Sequence, residues 1–486
     1  MRRYHIVALS VLAGLLWRLW LAARYAGWEE SDYGNLAMVR GVLDGGFLHY
    51  DMNHMPGYYA LGALALAAVG DAVLAAKGVS LLGGLIALGI AVSLSHRLAG
   101  PLAAGLTGLL LVFQPEFALY ASSSLREPVY AAAVLGTLLA LSRERLLLAG
   151  LLAGGAFLVR MDGALALGPV LLVHALGMPD RRGRVVRALT PLVLIIAAWS
   201  LYCRIDHGTF LFWSHSVSVN VETGLSAEAS SPLAWWRSGL TISANLVGWM
   251  MPWRIGWGVW LAGILAVVTV PLSRHGLRRS WVFLTVLMIG VWAGIGLVGQ
   301  HDPAHNLYWK WLCPIVPVAV PLGVAGLVEV SRRFGGSALL VVVVFQALAS
   351  GLKETHRQWA LSEEWYRPQL DIAQWIETEV PEEVPLLVDN IPACWINRRP
   401  HARELVSWFD VPVIPGDEAD FARWVAEADI GLVLWFREDW TQAPVIAPFL
   451  SDGGHWSQDG VSLIERARED GYGWILYDVQ VPLAPQ

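Results

Sequence analysis

Long apolar runs are the feature of this 486-residue chain that most restricts its fold. An α-helix needs about 20 mostly apolar residues to cross the hydrocarbon of a bilayer, which is about 30 Å thick. Runs near that length recur up to position 352 and then stop. The predicted crossings are 5–24, 78–97, 101–117, 127–142, 146–158, 162–176, 187–204, 254–272, 280–299, 309–330 and 336–352. The sequence therefore predicts a polytopic α-helical membrane protein with about eleven transmembrane helices.

Basic residues predict which side of the membrane each loop occupies. Cytoplasmic loops are enriched in arginine and lysine, and basic clusters fall at every second loop of the eleven-span arrangement. These clusters are Arg2/Arg3, Arg97, Arg143/Arg145, Arg181/Arg182/Arg184/Arg187, Arg274/Arg278/Arg279 and Arg332/Arg333. They predict a multi-pass protein of the plasma (inner) membrane with a cytoplasmic N-terminus. The same parity favours separate crossings at 146–158 and 162–176 over one broken helix, and an outer-leaflet or re-entrant helix at Gly57–Gly70.

A change of composition divides the chain near position 353. We assign 1–352 to the transmembrane domain, with outer loops at 25–77, 118–126, 205–253 and 300–308. Residues 353–486 mix charged residues with short apolar stretches, and we predict an extracytoplasmic α/β domain there. Its predicted strands are Pro385–Val388, Ile430–Trp435 and Trp474–Val479, and its predicted helices are Asp371–Thr378 and Asp417–Ala428. Three roles fit this domain: it could cover the active site, engage an acceptor or give structural support.

Charge and composition limit the kinds of molecule that this chain can bind. The chain is 56% hydrophobic and 15% charged, with a net charge of -6 and scattered basic residues. This pattern argues against nucleic acid and favours membrane lipids and lipid-linked substrates. Cys203, Cys313 and Cys394 form no closely spaced pair, so neither a zinc site nor a disulfide framework is indicated.

Two carboxylates stand out on the predicted outer side. Asp32 precedes the stretch Tyr33–Val42, which has the apolar stripe of an interfacial helix. It could cap that helix or act as a general base. Glu127 opens the helix that begins at Pro128, where a carboxylate also complements the helix dipole. If a divalent metal is bound, Asp32 and Glu127 are the candidate oxygen ligands.

Three basic or titratable side chains share that predicted side. Arg160 lies at membrane depth, where a charge is costly unless it is paired or functional. Asp162, two residues on, is its obvious structural partner. Lys310 is unusual because arginine supplies almost all the basic residues, and it could bind phosphate or reach to the interface. His54 could serve as a hydrogen-bond donor to substrate or have a structural role.

The order of these residues resembles the glycosyltransferase C (GT-C) superfamily, in particular its protein O-mannosyltransferase and aminoarabinose-transferase branch. The motifs that carry the resemblance are Ser31-Asp32-Tyr33-Gly34, His54-Met55-Pro56-Gly57, Leu125-Arg126-Glu127-Pro128, Val159-Arg160-Met161-Asp162-Gly163 and the late-helix motif around Tyr308-Trp309-Lys310. The resemblance implies a GT-C fold and an inverting transfer of sugar from a polyprenyl-phosphate donor. The implied acceptor is a glycan, lipid or protein of the cell envelope. It also implies Asp32 as general base, with His54, Glu127, Arg160 and Lys310 contacting substrate.

Two other functions fit a polytopic chain. A secondary transporter or lipid flippase would place charges near the midplane of both halves and commonly shows internal repeats. No repeat is apparent here, and the charged candidates share one predicted side. A catalytically inactive assembly subunit is the other alternative, against which the presence of Asp32 argues.

Overall fold

The computed structural model describes most of the chain. The described residues are 3–24, 30–45, 55–177, 180–210, 261, 307–334, 336–388, 392, 395–396, 405–408, 411–436, 443–469 and 473–481. They divide into two compact units. The larger contains Met38–Ala68 and Ala75–Trp359 together with the first helix, and the smaller contains Glu29–Ala37, Val69–Leu74 and the chain from Ala360 onward.

The described chain is helical up to the smaller unit's sheet. The helices are α1 (Arg3–Arg24), α2 (Glu30–Gly45), α3 (Pro56–Val69), α4 (Ala72–Ala99), α5 (Pro101–Val112), α6 (Pro115–Tyr120), α7 (Glu127–Leu141), α8 (Leu146–Val159), α9 (Asp162–Leu176), α10 (Arg181–His207), α11 (Leu307–Phe334), α12 (Ser337–Trp365) and α13 (Arg367–Glu379). α8 and α9 are separate helices, as predicted, with Arg160 and Met161 between them.

Helix length separates two groups of apolar segments. By length and composition, Tyr4–Arg24, Ala72–Ala99, Arg181–Asp206 and Ile315–Arg332 suffice to cross a membrane. Helices α3, α5, α7, α8 and α9 are apolar but shorter. The predicted crossings 254–272 and 280–299 lie outside the described residues apart from position 261. The total of about eleven spans therefore stays a prediction.

The predicted crossing 101–117 is wrong as one continuous helix. α5 ends at Val112, and α6 begins at Pro115. Proline has no backbone N–H to donate to the preceding helical turn, so α5 does not continue through Pro115. Proline is favourable, however, at the first position of a new helix. The Gln114 side chain caps the new helix by accepting the Phe117 N–H at 2.7 Å. After this break, the short helix α6 leads into the polar segment that precedes Glu127.

Helix packing in the larger unit places α7 beside α8, and α8 beside both α9 and α10. α1 packs on α5, and α11 packs on α5 and α7. The contact surfaces are rich in alanine and glycine, which allow close backbone approach between apolar helices. The beginnings of α7 and α9 and the end of α8 consequently meet at one end of this group.

The smaller unit contains a six-stranded mixed sheet. Its strands are β1 (Leu386–Val388), β2 (Leu405–Ser407), β3 (Leu432–Phe436), β4 (His455–Gln458), β5 (Val461–Glu469) and β6 (Trp474–Gln480), in the order β2-β1-β3-β6-β5-β4. β1 runs parallel to β2 and β3, and the remaining pairs are antiparallel. The three predicted strand segments coincide with β1, β3 and β6.

Alternate residues of these strands build two cores. Leu386, Leu432 and Leu434 pack with α13 residues such as Ile372 and Ile376. The neighbouring residues in sequence face the opposite core, which includes helix α14 (Glu418–Glu427) and the short helix α15 (Ala443–Ile446). Side chains of a strand point alternately to its two faces, so both faces of the central strands are buried.

Candidate functional site

A buried cluster of charged side chains joins three helix ends in the larger unit. Arg160 Nη1 donates to Glu127 Oε1 at 2.9 Å, and Arg160 Nε donates to Asp162 Oδ1 at 3.1 Å. Glu127, Arg160 and Asp162 are 1%, 9% and 5% exposed, respectively. We call these three residues the charged cluster. Charge-assisted hydrogen bonds of this kind satisfy groups that would be costly to bury alone.

Local sequence fixes where each member of the charged cluster lies. Glu127 is the first residue of α7, followed by Pro128, which is favourable in a first helical turn. Arg160 ends α8 in extended conformation, and Asp162 begins α9. A carboxylate at a helix start interacts favourably with the helix dipole. Packing of α7 on α8 then brings Glu127 to Arg160 across 33 positions of sequence.

A second set of hydrogen bonds holds the segment just before Glu127. Ser80 Oγ of α4 donates to the Leu125 carbonyl at 2.6 Å. The Tyr58 hydroxyl of α3 lies 3.0 Å from Ser80 Oγ. Tyr58 and Ser80 are fully buried. Helices α3 and α4 therefore fix the backbone from which Arg126 and Glu127 extend.

The charges in the cluster are unevenly matched. Burial disfavours the charged guanidinium, but the Asp162 and Glu127 carboxylates outweigh it and raise the pKa of Arg160 above its ordinary value. The guanidinium also lies 5.6 Å from the centre of the Tyr130 ring. One arginine faces two carboxylates, and Arg126 Nε, 3.9 Å from Glu127 Oε1, supplies the balancing charge.

Glu127 has capacity for one more polar contact. Its Oε2 is buried and accepts no hydrogen bond from any residue that the structure describes. The side chain of Arg126 is 23% exposed and so remains accessible from outside the cluster. The charged cluster therefore contains one carboxylate oxygen without a hydrogen bond from the described residues, and Arg126 beside it supplies a partly accessible guanidinium.

The other predicted site residues are placed less completely. Asp32 is the third residue of α2, which begins at Glu30, so it stands within the first turn and not before the helix. Lys310 lies in the first turn of α11. Nothing is described of either side chain, and His54 lies outside the described residues. The structure thus brings together Glu127 and Arg160 from the predicted set.

Sequence reasoning missed two members of this site. Arg126 lies inside the quoted motif Leu125-Arg126-Glu127-Pro128, and its proximity to an important carboxylate was a usable signal. Tyr130 follows Glu127 by three residues, which places both on one face of α7. Neither position could be linked to Arg160 without knowing that α7 packs on α8.

The described residues do not assemble a metal site. Among them no group of three histidine, cysteine, aspartate or glutamate side chains is placed to hold an ion. Glu127 has one oxygen bound to a guanidinium, whereas magnesium and calcium take six or more oxygen ligands. The side chain of Asp32, the other predicted ligand, lies outside the described residues, so a divalent cation held by Asp32 and Glu127 stays a prediction.

An apolar groove of about 400 Å³ is lined by residues of α3, α8 and α10. Its lining includes Pro56 and Ala60 of α3, Leu158 of α8, and Ile195, Trp199 and Tyr202 of α10. Leu158 precedes Arg160 by two residues, so the groove and the charged cluster share the C-terminal end of α8. An elongated apolar group could lie there with a polar head near the cluster.

Comparison with solved structures gives a likeness over the whole chain. The crystal structure of ArnT from Cupriavidus metallidurans bound to undecaprenyl phosphate matches with a TM-score of 0.64 at 15% identity, covering 99% of both chains. The apo crystal structure of the same protein gives a TM-score of 0.61 at 16% identity, again over 99% of each chain. The chain has the GT-C fold.

A larger protein shows the same architecture in part. The cryo-EM structure of the arabinofuranosyltransferase AftD from mycobacteria gives a TM-score of 0.50 at 12% identity, covering 98% of this chain and 42% of AftD. No family model matches the sequence. No curated protein matches it either. The resemblance drawn from the sequence motifs is thus confirmed at the level of the membrane fold, which positions the charged cluster at the helix ends.

Proposed function

We propose that this protein is an inverting glycosyltransferase that moves a sugar from a polyprenyl-phosphate donor to an acceptor on the outer face of the membrane. The observation that carries the proposal is the full-length likeness to ArnT, whose crystal structure contains undecaprenyl phosphate. The charged cluster and the apolar groove beside it offer the polar and apolar halves of a site for such a lipid. Motif order in the sequence supports the same assignment.

The reaction requires a general base to deprotonate the acceptor, a phosphate that leaves from the sugar donor, and a protected site in which the two substrates meet. In the proposed step the Asp32 carboxylate takes a proton from the acceptor's nucleophilic atom, which attacks the anomeric carbon. The bond between that carbon and the phosphate oxygen breaks, and its electron pair leaves with polyprenyl phosphate. Attack from the face opposite the phosphate inverts the anomeric configuration.

Positive charge must stabilise the departing phosphate. Arg160 is already neutralised by two carboxylates, so we assign it to orienting the loop and Glu127. Arg126 is better suited to direct phosphate contact because its side chain is partly exposed. Lys310 and His54 are proposed as further donors to phosphate or sugar, and Glu127 Oε2 as an acceptor for a sugar hydroxyl.

The lipid part of the donor needs an apolar path. We propose that the isoprenoid chain lies in the groove lined by Ala60, Leu158 and Trp199, with its phosphate toward Arg126. Membrane lipids would compete for the same surface. The acceptor, whether glycan, lipid or protein, would approach from outside, where residues 353–486 are proposed to form an extracytoplasmic domain.

The decisive experiment measures sugar transfer by the purified full-length protein from radiolabelled polyprenyl-phosphate sugars. Asp32→Asn should lower the rate about 10²- to 10⁴-fold, the usual contribution of a general base. Asp44→Asn, on the same helix α2, is the matched control and should keep wild-type activity. Full activity of Asp32→Asn, or no transfer from any donor, contradicts the proposal. Transport of a labelled solute by proteoliposomes without transfer would instead identify a transporter or flippase.

A further inference from the structure

A second apolar groove, on another side of the larger unit, ends in two arginine side chains. It has a volume of about 380 Å³ and runs between α4, α7 and α8. Its walls include Ile90, Val129, Ala133, Leu148 and Leu152, and Arg143 and Arg145 line one end. From Val129 to Arg143 the groove follows α7 for about 20 Å, on the rise of an α-helix. We call it the basic-ended groove.

The two arginines are available to an external anion. Arg143 and Arg145 are exposed, and their side chains make no hydrogen bond or ion pair with any residue in the described ranges. Glu144, which stands between them, pairs instead with Arg184 of α10 at 3.4 Å. The nearby acidic charge is thus already compensated by another basic residue.

Neighbouring groups add to the positive potential at that end. Arg97 of α4 donates to the Ser142 carbonyl at 3.3 Å, which places another guanidinium close by. α8 begins at Leu146 with no acidic residue in its first turn and no side-chain cap. The first turn of such a helix carries the positive end of the helix dipole. An anionic group between Arg143 and Arg145 would be attracted by all of these.

We propose that the basic-ended groove binds one anionic phospholipid. An acyl chain lies along Ala133 and Leu152, and the headgroup phosphate lies between Arg143 and Arg145. Charge complementarity selects this occupant, since basic residues at the membrane surface attract anionic headgroups. The positive-inside pattern assigns this end to the cytoplasmic leaflet. The headgroup site is at the opposite end of α7 from Glu127, so the proposal does not depend on the proposed enzymatic function.

The test titrates the full-length protein in detergent with phosphatidylglycerol and, separately, with phosphatidylcholine, and counts bound lipid by native mass spectrometry. Wild type should bind phosphatidylglycerol in preference. The double variant Arg143→Gln/Arg145→Gln should bind it about 25-fold more weakly, since each arginine near an anionic headgroup contributes about fivefold. The matched control Arg181→Gln/Arg182→Gln removes two exposed arginines on the same predicted side that do not line the groove, and it should bind as wild type.

A second pair of variants tests the apolar half. Ala133→Trp fills the groove and should lose phosphatidylglycerol with both arginines intact, whereas Leu147→Trp, on the exposed face of α8, should retain it. Normal binding by Ala133→Trp would overturn the proposal, as would equal losses in the two arginine double variants. Equal affinity for phosphatidylcholine would also overturn it. So would competition by glycerol phosphate as strong as by the whole lipid, which would indicate an anion site without a chain.

Discussion

Arg160 is the residue on which the buried charges of the site depend. Replacing it by methionine leaves the Glu127 and Asp162 carboxylates buried without their shared cation. Removing one partner of a buried ion pair costs about 3–5 kcal/mol, so the free energy of unfolding should fall by about that amount. The measurement is the melting temperature of the detergent-solubilised protein. Arg126→Met, at a partly exposed position, should cost much less, and equal melting temperatures for wild type and Arg160→Met would contradict this account.

Arg126 should affect lipid binding more than stability. A hydrogen bond to a charged group contributes about 2 kcal/mol, so Arg126→Gln should weaken binding of undecaprenyl phosphate about 30-fold. Its melting temperature should stay close to that of wild type. Arg24→Gln, at the exposed end of α1, is the control and should bind normally. If both variants bind as wild type, Arg126 does not contact the phosphate.

The sequence alone predicted one side-chain pairing in the site and not the other. Pairing of Arg160 with Asp162 could be predicted because the two stand in one short turn. Pairing of Arg160 with Glu127 could not, since it depends on how two helices pack. The prediction that Arg160 contacts substrate did not include this second carboxylate. With Arg160 held by both carboxylates, Arg126 is the more accessible cation.

At the scale of helices, Gly83 sets how closely α4 approaches the start of α7. A Cβ atom there would lie 2.8 Å from the Val129 backbone nitrogen, and backbone cannot move aside as a side chain can. Gly83→Ala should therefore destabilise the protein by about 1–3 kcal/mol, as overpacking does. Gly78, on the same helix, has no atom within 4 Å of its Cβ position. Gly78→Ala should instead be neutral or stabilising by up to about 1 kcal/mol.

The comparison of these two alanine variants is made by thermal unfolding under identical detergent conditions. Gly83→Ala should also lower transfer activity, because Val129 lies two residues after Glu127. Equal melting temperatures for the two variants would show that α4 and α7 are not packed at Gly83.

Helices and strands with long or continuous apolar runs could be predicted from the sequence. Those whose structure depends on their neighbours in the fold could not. Apolar length predicted α1, α4 and α10, and short continuous apolar runs marked β1, β3 and the first half of β6, which are the buried parts of the sheet. β4 and β5 were missed because β4 alternates exposed and half-buried residues and β5 carries a polar run, Glu465 to Glu469. The break at Gln114–Pro115 was passed over because the apolar runs on both sides outweighed the polar Gln114 and Glu116 around a proline that begins a new helix.

For the whole molecule, sidedness is the prediction that connects fold to function. Charge parity places Asp71 outside and Arg143 inside. In a background with Cys203, Cys313 and Cys394 replaced by serine, Asp71→Cys should react with a membrane-impermeant maleimide on intact cells, and Arg143→Cys only after permeabilisation. The reverse result would mean that α3 crosses the membrane and inverts α4 and the helices after it. Glu127 and Arg160 would then lie on the cytoplasmic side, and transfer on the outer face could not use them.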